Sequence, residues 1–237
     1  MEKTGSAFSL TLQRLSLALL ILGCVGCDQA GTSKAKPAPV VDFNATKAHA
    51  EQGEAQAQND LGELYAHGQG VPQDYAQAAK WYRLAAHQGL PQGQCNLAAL
   101  LAAGAGLKSD PAEAVKWYRK AAEKNSVDAQ YNLGQMLSMG IGAKRDLPEA
   151  IRFYQLAAEQ GDELSQYNLA RRYREGKDVP VDPVQAYFWF TLAATKGVEE
   201  ALPMRALLQK DMTSAQIAEA QKRVKDFKPA VPKTPEK

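Results

Sequence analysis

The strongest constraint on this chain is a spacing of 36 residues that runs through four consecutive segments without an insertion. A leucine, an aromatic residue and an aspartate each recur at this spacing, at Leu61, Leu97, Leu133 and Leu169, at Trp81, Trp117, Phe153 and Trp189, and at Asp74, Asp110, Asp146 and Asp182. A period of this length is typical of proteins that stack one supersecondary unit on the next. We place the four units at 54–89, 90–125, 126–161 and 162–197.

Each unit carries the start and stop signals of two helices. Glutamate or glutamine follows each repeated aspartate by three places, which is the pattern of a capping box at a helix start. Glycine or asparagine follows each second helix, where a left-handed residue is expected, and glycines separate the two helices. Within the first of these second helices, one face collects small and aromatic residues, namely Ala78, Trp81, Tyr82, Ala85 and Ala86. A lone helix pair cannot bury such rings, so the sequence predicts stacked helix pairs.

The repeated segments resemble a known family. The first helices read "NDLGELYAHG", "CNLAALLAAG", "YNLGQMLSMG" and "YNLARRYREG", and with "GQGVPQDYAQAAKWYRLAAHQG" they closely resemble the Sel-one-like repeat (SLR), a relative of the tetratricopeptide repeat (TPR). The resemblance implies an all-α fold, a right-handed α-solenoid of TPR-like helix-turn-helix units covering 54–198. We expect a degenerate half repeat at 42–53, capping helices at 199–227 with a Thr213–Gln216 capping box, and a disordered tail at 228–237.

The N-terminal segment has the features of an export signal. Lys3 and Arg14 precede an apolar run that ends in "ILGCVGCDQ", so 1–23 is predicted to be a signal peptide and 24–41 a flexible Pro/Ala/Lys tether. The "ILGC" stretch resembles a bacterial lipobox, which implies a lipid on Cys24, with Cys27 as the alternative. In lipoprotein sorting of the Gram-negative type, Val25 after Cys24 favours the outer membrane, whereas Asp28 after Cys27 would favour the inner one.

The sequence offers little that converges on catalysis. The formal net charge is only +2, which argues against a nucleic-acid partner. The three histidines have no metal-ligand spacing and Cys95 has no cysteine near it, so we predict no metal, cofactor or catalytic residue. Some cysteine-rich SLR relatives are associated with penicillin binding or β-lactamase activity, but their paired cysteines do not occur here.

The resemblance also implies a binding surface. First helices of TPR-like arrays line a concave face, where Asp60, Asn96, Asn132 and Asn168 form a ladder. Aromatic and arginine side chains cluster at the C-terminal end of this ladder, and both are frequent in binding hot spots. We predict that the partner-binding groove includes Asn96, Tyr131, Asn132, Tyr167, Asn168, Arg171 and Arg174. An ordinary solvated face is the alternative for the same residues.

These observations lead to one functional expectation and two alternatives. The expected function is that of a non-catalytic scaffold, lipid-anchored on the periplasmic side of a bacterial envelope, which binds a protein or an extended peptide. One alternative is a protein that acts on, or binds, β-lactams or cell-wall material. The other is a self-assembling structural protein of the envelope.

Overall fold

The computed structural model describes residues 42–230, and this part of the chain is helical with no strand. It contains eleven helices: α1 (Phe43–Glu51), α2 (Ala55–His67), α3 (Tyr75–His87), α4 (Pro91–Ala103), α5 (Pro111–Glu123), α6 (Val127–Met139), α7 (Leu147–Glu159), α8 (Glu163–Glu175), α9 (Pro183–Thr195), α10 (Ala201–Gln209) and α11 (Ser214–Asp226). The predicted all-α fold of helical hairpins is therefore confirmed. The signal peptide, the lipidation cysteines Cys24 and Cys27, the whole predicted tether (24–41) and the last seven residues lie outside the described range.

The helices form two compact units that divide after Ser126. In the first unit, α2 packs against α3 and α4 against α5, while α1 packs on α2 and α3 contacts α4. In the second unit, α6 packs against α7 and α8 against α9, while α9 also contacts α10 and α11. No helix in residues 42–230 has the length and apolar character needed to cross a membrane.

The repeated aspartates act as N-caps, as predicted, but the second half of the predicted capping box is replaced, because the backbone N–H of each aspartate donates to a carbonyl oxygen of the preceding helix. The side chains of Asp74, Asp110, Asp146 and Asp182 each accept a hydrogen bond from the backbone N–H three residues later, at 2.9–3.0 Å. This bond satisfies one of the orphan donors at the start of α3, α5, α7 and α9. At α11 both halves of the capping box are present, because Thr213 and Gln216 bond each other's backbone N–H.

The second aromatic residue of the repeated pair is buried in each hairpin, and the first is buried as well in every repeat except the first. Tyr82, Tyr118 and Phe190 are fully buried, whereas Trp81 is only half-buried. Tyr82 lies directly over Gly62 of the partner helix, where an added Cβ would come within 2.5 Å of the ring atom Cε1. The glycine after the repeated leucine is therefore required at this position, since it lets the tyrosine ring lie against the backbone of α2.

A ladder of buried glutamines joins the hairpins to the helices that precede them. Gln58 donates from Nε2 to the carbonyl oxygen of Ala50, and Gln94 donates to Ala86, at 3.3 and 3.2 Å. Gln166 makes the same bond to Ala158 in the second unit at 3.1 Å. Each of these carbonyl oxygens also accepts the backbone N–H of the glycine three residues later, so the glutamine adds a second hydrogen bond at the C-terminus of the preceding helix.

The C-terminal segment packs back on the second unit. The ring of Phe227 lies 5.7 Å from Phe188 and 6.0 Å from Trp189, both edge-on. Three residues later, the N–H of Ala230 donates to the carbonyl oxygen of Glu159 at 2.8 Å. This segment covers aromatic surface of α9 that would otherwise be exposed to water at the end of the array.

Candidate functional site

The most distinctive polar feature of the described residues is a basic pocket beside the last turns of α8. Its volume is about 250 Å³, and it is lined by Arg145, Asn168, Arg171, Arg172, Glu175 and Lys177. Helix α8 supplies four of these side chains at i, i+3, i+4 and i+7, a spacing that places them on one face. Arg145 comes from the turn between α6 and α7, and Lys177 from the turn after α8.

Four of the six lining residues are cationic and only Glu175 is acidic. Glu175 lies 3.0 Å from Lys177 Nζ and 3.7 Å from an Nη atom of Arg171. Arg172 pairs with Asp178 at 3.2 Å, and Arg145 donates from Nε to the carbonyl oxygen of Ser138. The positive groups therefore exceed the negative ones, and the pocket attracts carboxylates or other anions.

The carboxylate of Glu175 is held in its charged form. A hydrogen bond from Lys177 lowers its pKa, and the positive charges of Lys177, Arg171 and Arg174 lower it further. Because this carboxylate already engages three cations, an incoming anion must compete with it. Glu175 therefore weakens the binding of an anion in the pocket.

The predicted asparagine ladder is engaged within the scaffold in the earlier repeats. Asn96 is buried and donates from Nδ2 to Oδ1 of Asn59 at 2.9 Å, with Glu63 at 3.4 Å. Asn132 is buried too, and its Nδ2 donates to the carbonyl oxygen of Asp128 one turn earlier at 2.8 Å. Of the predicted ladder, only Asn168 lines the basic pocket.

The two predicted tyrosines contribute to packing. Tyr131 is buried with its ring 6.1 Å from that of Tyr154. Tyr167 is half-buried, and its ring packs edge-on against Phe190 at 5.8 Å. Both tyrosines thus support the hairpins of the second unit on which the pocket is built.

The two predicted arginines occupy different surroundings. Arg171 is exposed and points into the pocket. Arg174 is half-buried beside α10, with Nη1 only 2.8 Å from Sδ of Met204 and Nη2 3.4 Å from Glu175. Arg174 therefore lies at the border between the pocket and the C-terminal helices, where it also contacts the carboxylate that lines the pocket.

The sequence analysis missed four of the six lining side chains as site residues. One is Arg172, within α8, and the other three are Arg145, Glu175 and Lys177. These three lie in or next to the turns between helices, which the repeat pattern identifies only as glycine-containing connections. The signal that could have found them is the contrast between turns: "KRD" at 144–146 and "EGKD" at 175–178 are charged, whereas "HGQGVPQD" at 67–74 carries no lysine or arginine.

The described residues contain no group of three histidine, cysteine, aspartate or glutamate side chains arranged to hold a metal ion. His49 lies 3.0 Å from Oε1 of Glu54, and the ring of His87 packs edge-on against Trp117. His49 thus pairs with a nearby carboxylate, and His87 packs against an aromatic ring.

Comparison with known proteins agrees with the repeated helical hairpins of the structure. The Sel1 repeat family model matches four segments, at 55–90, 91–126, 127–162 and 164–198. No curated protein matches the sequence significantly. Among solved structures, a Sel1 repeat protein from Oxalobacter formigenes is 33% identical with a TM-score of 0.64, over 76% of this chain and 82% of that one.

A second solved structure is a protective antigen of uropathogenic Escherichia coli that displays an SLR fold. It is 27% identical to this chain with a TM-score of 0.55, and the match covers 91% of this chain. The chain spans about half the length of that antigen, 52%. Sel1 repeats generally serve as protein–protein interaction modules. With four matched repeats, hairpins in each compact unit and a relative at 33% identity, this chain belongs to the Sel1 repeat family.

Proposed function

We propose that this protein is a non-catalytic scaffold that binds a protein or an extended peptide through the first-helix face of its second unit. The single observation that supports this is the basic pocket on α8, where Arg145, Arg171, Arg172 and Lys177 converge. Arginine in particular forms paired hydrogen bonds with carboxylates, and it is enriched in binding hot spots.

The location that we propose is the periplasmic side of a bacterial cell envelope, with a lipid on Cys24 and the outer membrane as the anchoring membrane. The support is the apolar run before "ILGC" and the Pro/Ala/Lys-rich tether that follows it. Two or more acyl chains at one cysteine would give stable anchoring, whereas a single chain gives only marginal binding.

The binding proposal is tested by reversing charge on α8. The variant R171E/R174E is expected to lose its crosslinked partner in cells, identified by mass spectrometry of the tagged protein. The matched control is K80E/R83E, which reverses two exposed cations at the same i, i+3 spacing on α3 of the first unit. Equal loss in both variants, or retention of the partner by a folded R171E/R174E protein, would contradict the proposal.

The anchoring proposal is tested with C24S and C27S in the full chain. We expect C24S to abolish incorporation of radiolabelled palmitate and to release the protein from the membrane fraction, because it removes the acylated thiol. C27S should retain both properties. The opposite result would assign the lipid to Cys27, and full labelling of both variants would rule out a single cysteine as the anchor.

A further inference from the structure

One pair of cations in the basic pocket converges on a single carboxylate. Arg171 Nη2 lies 3.7 Å from Oε1 of Glu175, and Lys177 Nζ lies 3.0 Å from Oε2. The side chains of Arg171 and Lys177 are 49% and 68% exposed, whereas that of Glu175 is only 22% exposed. Arginine has five N–H donors and lysine three, so both cations keep donors that face solvent. A second carboxylate can therefore bind them beside Glu175.

The other pair of cations lies near Tyr154 of α7. Burial raises the pKa of Tyr154, while a hydrogen bond with Ser138 and the positive charge of Arg172 act in the opposite direction. Arg145 donates from Nε to the carbonyl oxygen of Ser138 at 3.1 Å, and Arg172 donates from Nη1 to Oδ2 of Asp178 at 3.2 Å. Each bond uses one of the five N–H donors of an arginine. This side of the pocket therefore also has donors for a carboxylate.

The charges around the pocket leave a surplus of two cations. Counted over the six lining residues and Asp178, four cations face the two carboxylates of Glu175 and Asp178. One incoming carboxylate would leave a positive charge unbalanced, whereas two would balance the pocket. The cavity volume, about 250 Å³, is below the roughly 300–1,000 Å³ of sites that enclose a small molecule. The pocket therefore fits the ends of two acidic side chains better than a whole small-molecule ligand.

The position of the pocket on α8 favours side-chain carboxylates over a free C-terminus. Asn168, Arg171, Arg172 and Glu175 lie within α8, where backbone N–H groups bond to carbonyl oxygens four residues earlier. Helix α8 therefore offers side-chain donors to the pocket. A terminal carboxylate is typically captured by a cluster of free backbone N–H groups, which a helix interior does not provide.

Resting on the proposed function, we infer that the partner docks an internal, extended segment in which two acidic residues are separated by one residue. Arg171 and Lys177 bind one carboxylate, and Arg145 and Arg172 bind the other. In an extended chain, side chains two positions apart point to the same face about 7 Å from each other, whereas adjacent side chains point to opposite faces. Only the first spacing presents both carboxylates to one pocket.

Four pentapeptides made of glutamate, glutamine and alanine test the spacing and the source of the carboxylates. The spaced peptide is blocked at both ends and carries two glutamates separated by one alanine. The adjacent peptide is its matched control, with the same composition and the two glutamates next to each other. The third peptide has glutamine in place of both glutamates of the spaced peptide and a free C-terminus. The fourth is the third peptide blocked at both ends.

Binding is measured by titration with NMR shifts of the full chain carrying C24S and C27S. We expect saturable shifts at the four cations of the pocket with the spaced peptide, and a dissociation constant of about 1 mM or less. The adjacent peptide and the free-C-terminus peptide should bind at least about fivefold more weakly, because each brings only one carboxylate to the pocket. The blocked glutamine peptide should produce no saturable shift.

Two results of these titrations would overturn the inference. One is binding of the adjacent or the free-C-terminus peptide that is as tight as binding of the spaced peptide. The other is the absence of saturable shifts with the spaced peptide up to about 10 mM, roughly ten times a millimolar dissociation constant.

Single-charge variants test the two positions in the pocket. R172Q and K177Q each remove one cation, and each should weaken binding of the spaced peptide at least about threefold. K222Q removes an exposed cation of α11 that does not line the pocket, and it should leave the affinity within about twofold of wild type because salt screens distant charges. Equal weakening by K222Q would mean that net charge determines the affinity, and it would contradict the inference.

The result in cells separates this inference from the proposed function. If R171E/R174E loses its crosslinked partner while the spaced peptide binds no better than the adjacent one, the proposed function stands and the pair of acidic residues is wrong. If a folded R171E/R174E protein retains the partner, the proposed function fails, and the inference that rests on it fails too.

Discussion

The Nε2 of Gln88 donates a hydrogen bond to Oε1 of Gln58 at 2.8 Å, and it also donates to the carbonyl oxygen of Gly53 at 2.8 Å. One repeat later, the equivalent positions are Lys124 and Gln94. Lys124 bonds the carbonyl oxygen of Gly89, but within the described residues no group donates to the buried Oε1 of Gln94. A buried carbonyl without a donor costs about 1–3 kcal/mol.

The substitution K124Q is therefore expected to stabilise the protein. The new glutamine can donate to both Gly89 and Gln94, as Gln88 does in the preceding repeat. We expect a gain of about 0.5–1.5 kcal/mol in the free energy of unfolding, measured by urea denaturation. The reverse change, Q88K, should destabilise because it leaves Oε1 of Gln58 without its donor. A K124Q protein less stable than wild type would contradict this account.

Two glycines at equivalent positions should respond differently to alanine. A Cβ at Gly62 would meet Tyr82 Cε1 at 2.5 Å, whereas at Gly134 the nearest atom is Tyr154 Cε1 at 3.0 Å. Overpacking of this kind costs about 1–3 kcal/mol. We expect G62A to lower the melting temperature more than G134A does. If thermal unfolding ranks the two variants in the opposite order, Tyr82 does not constrain this position.

Asp162, the N-cap of α8, links stability to pH. It accepts a hydrogen bond from the backbone N–H of Ser165 at 2.6 Å, yet burial raises its pKa to about 6. This value lies above the pKa of about 3.9 expected in the unfolded chain, so folding favours the neutral form. The stability that this group contributes is fully present below about pH 4 and is lost as the pH rises through 6.

The variant D162N retains a capping side chain and removes the titrating group. Relative to wild type, its free energy of unfolding should therefore increase between pH 5 and pH 7.5, as measured by urea denaturation at each pH. The control is D110N at the exposed N-cap of α5. A constant difference between D162N and wild type across this range would show that Asp162 stays charged.

Removing the carboxylate of Glu175 should strengthen anion binding by the pocket. The variant E175Q frees Arg171 and Lys177 from their shared partner and removes the only negative lining group. We expect E175Q to bind a pentapeptide that contains two acidic residues and is blocked at both ends about two- to fivefold more tightly than wild type in an NMR titration. The gain should be smaller at high salt, because salt screens the charges. Weaker binding by E175Q would mean that Glu175 orients the cations.

The hairpins could be predicted from the sequence because each of their signals is local. Asp74 and Gln77 lie within one turn of each other, and the period of 36 repeats the signal four times. The glutamine ladder was also visible as a period, at Gln58, Gln94, Gln130 and Gln166. It was not recognised, since a glutamine in a helix is typical of a solvated face and its buried carbonyl partner lies eight residues earlier.

The pocket could be predicted only in part. Asn168 and Arg171 could be predicted, because the repeat register places them on the first helix of the fourth unit. First helices line the concave face in TPR-like arrays. Arg145 cannot be placed in this way, since it reaches the pocket from a different hairpin, 26 residues before Arg171. Convergence of side chains from separate turns depends on helix packing, which no local pattern contains.

The central claim is that the first-helix face of the second unit is where a partner protein docks. The most direct test places a photoreactive benzoylphenylalanine at Lys177, on the exposed rim of the pocket, and in a second strain at Lys80 on α3. After irradiation of living cells, we predict a discrete covalent adduct with another protein from position 177 and none from position 80. No adduct at 177, or the same adduct at both positions, would contradict the claim.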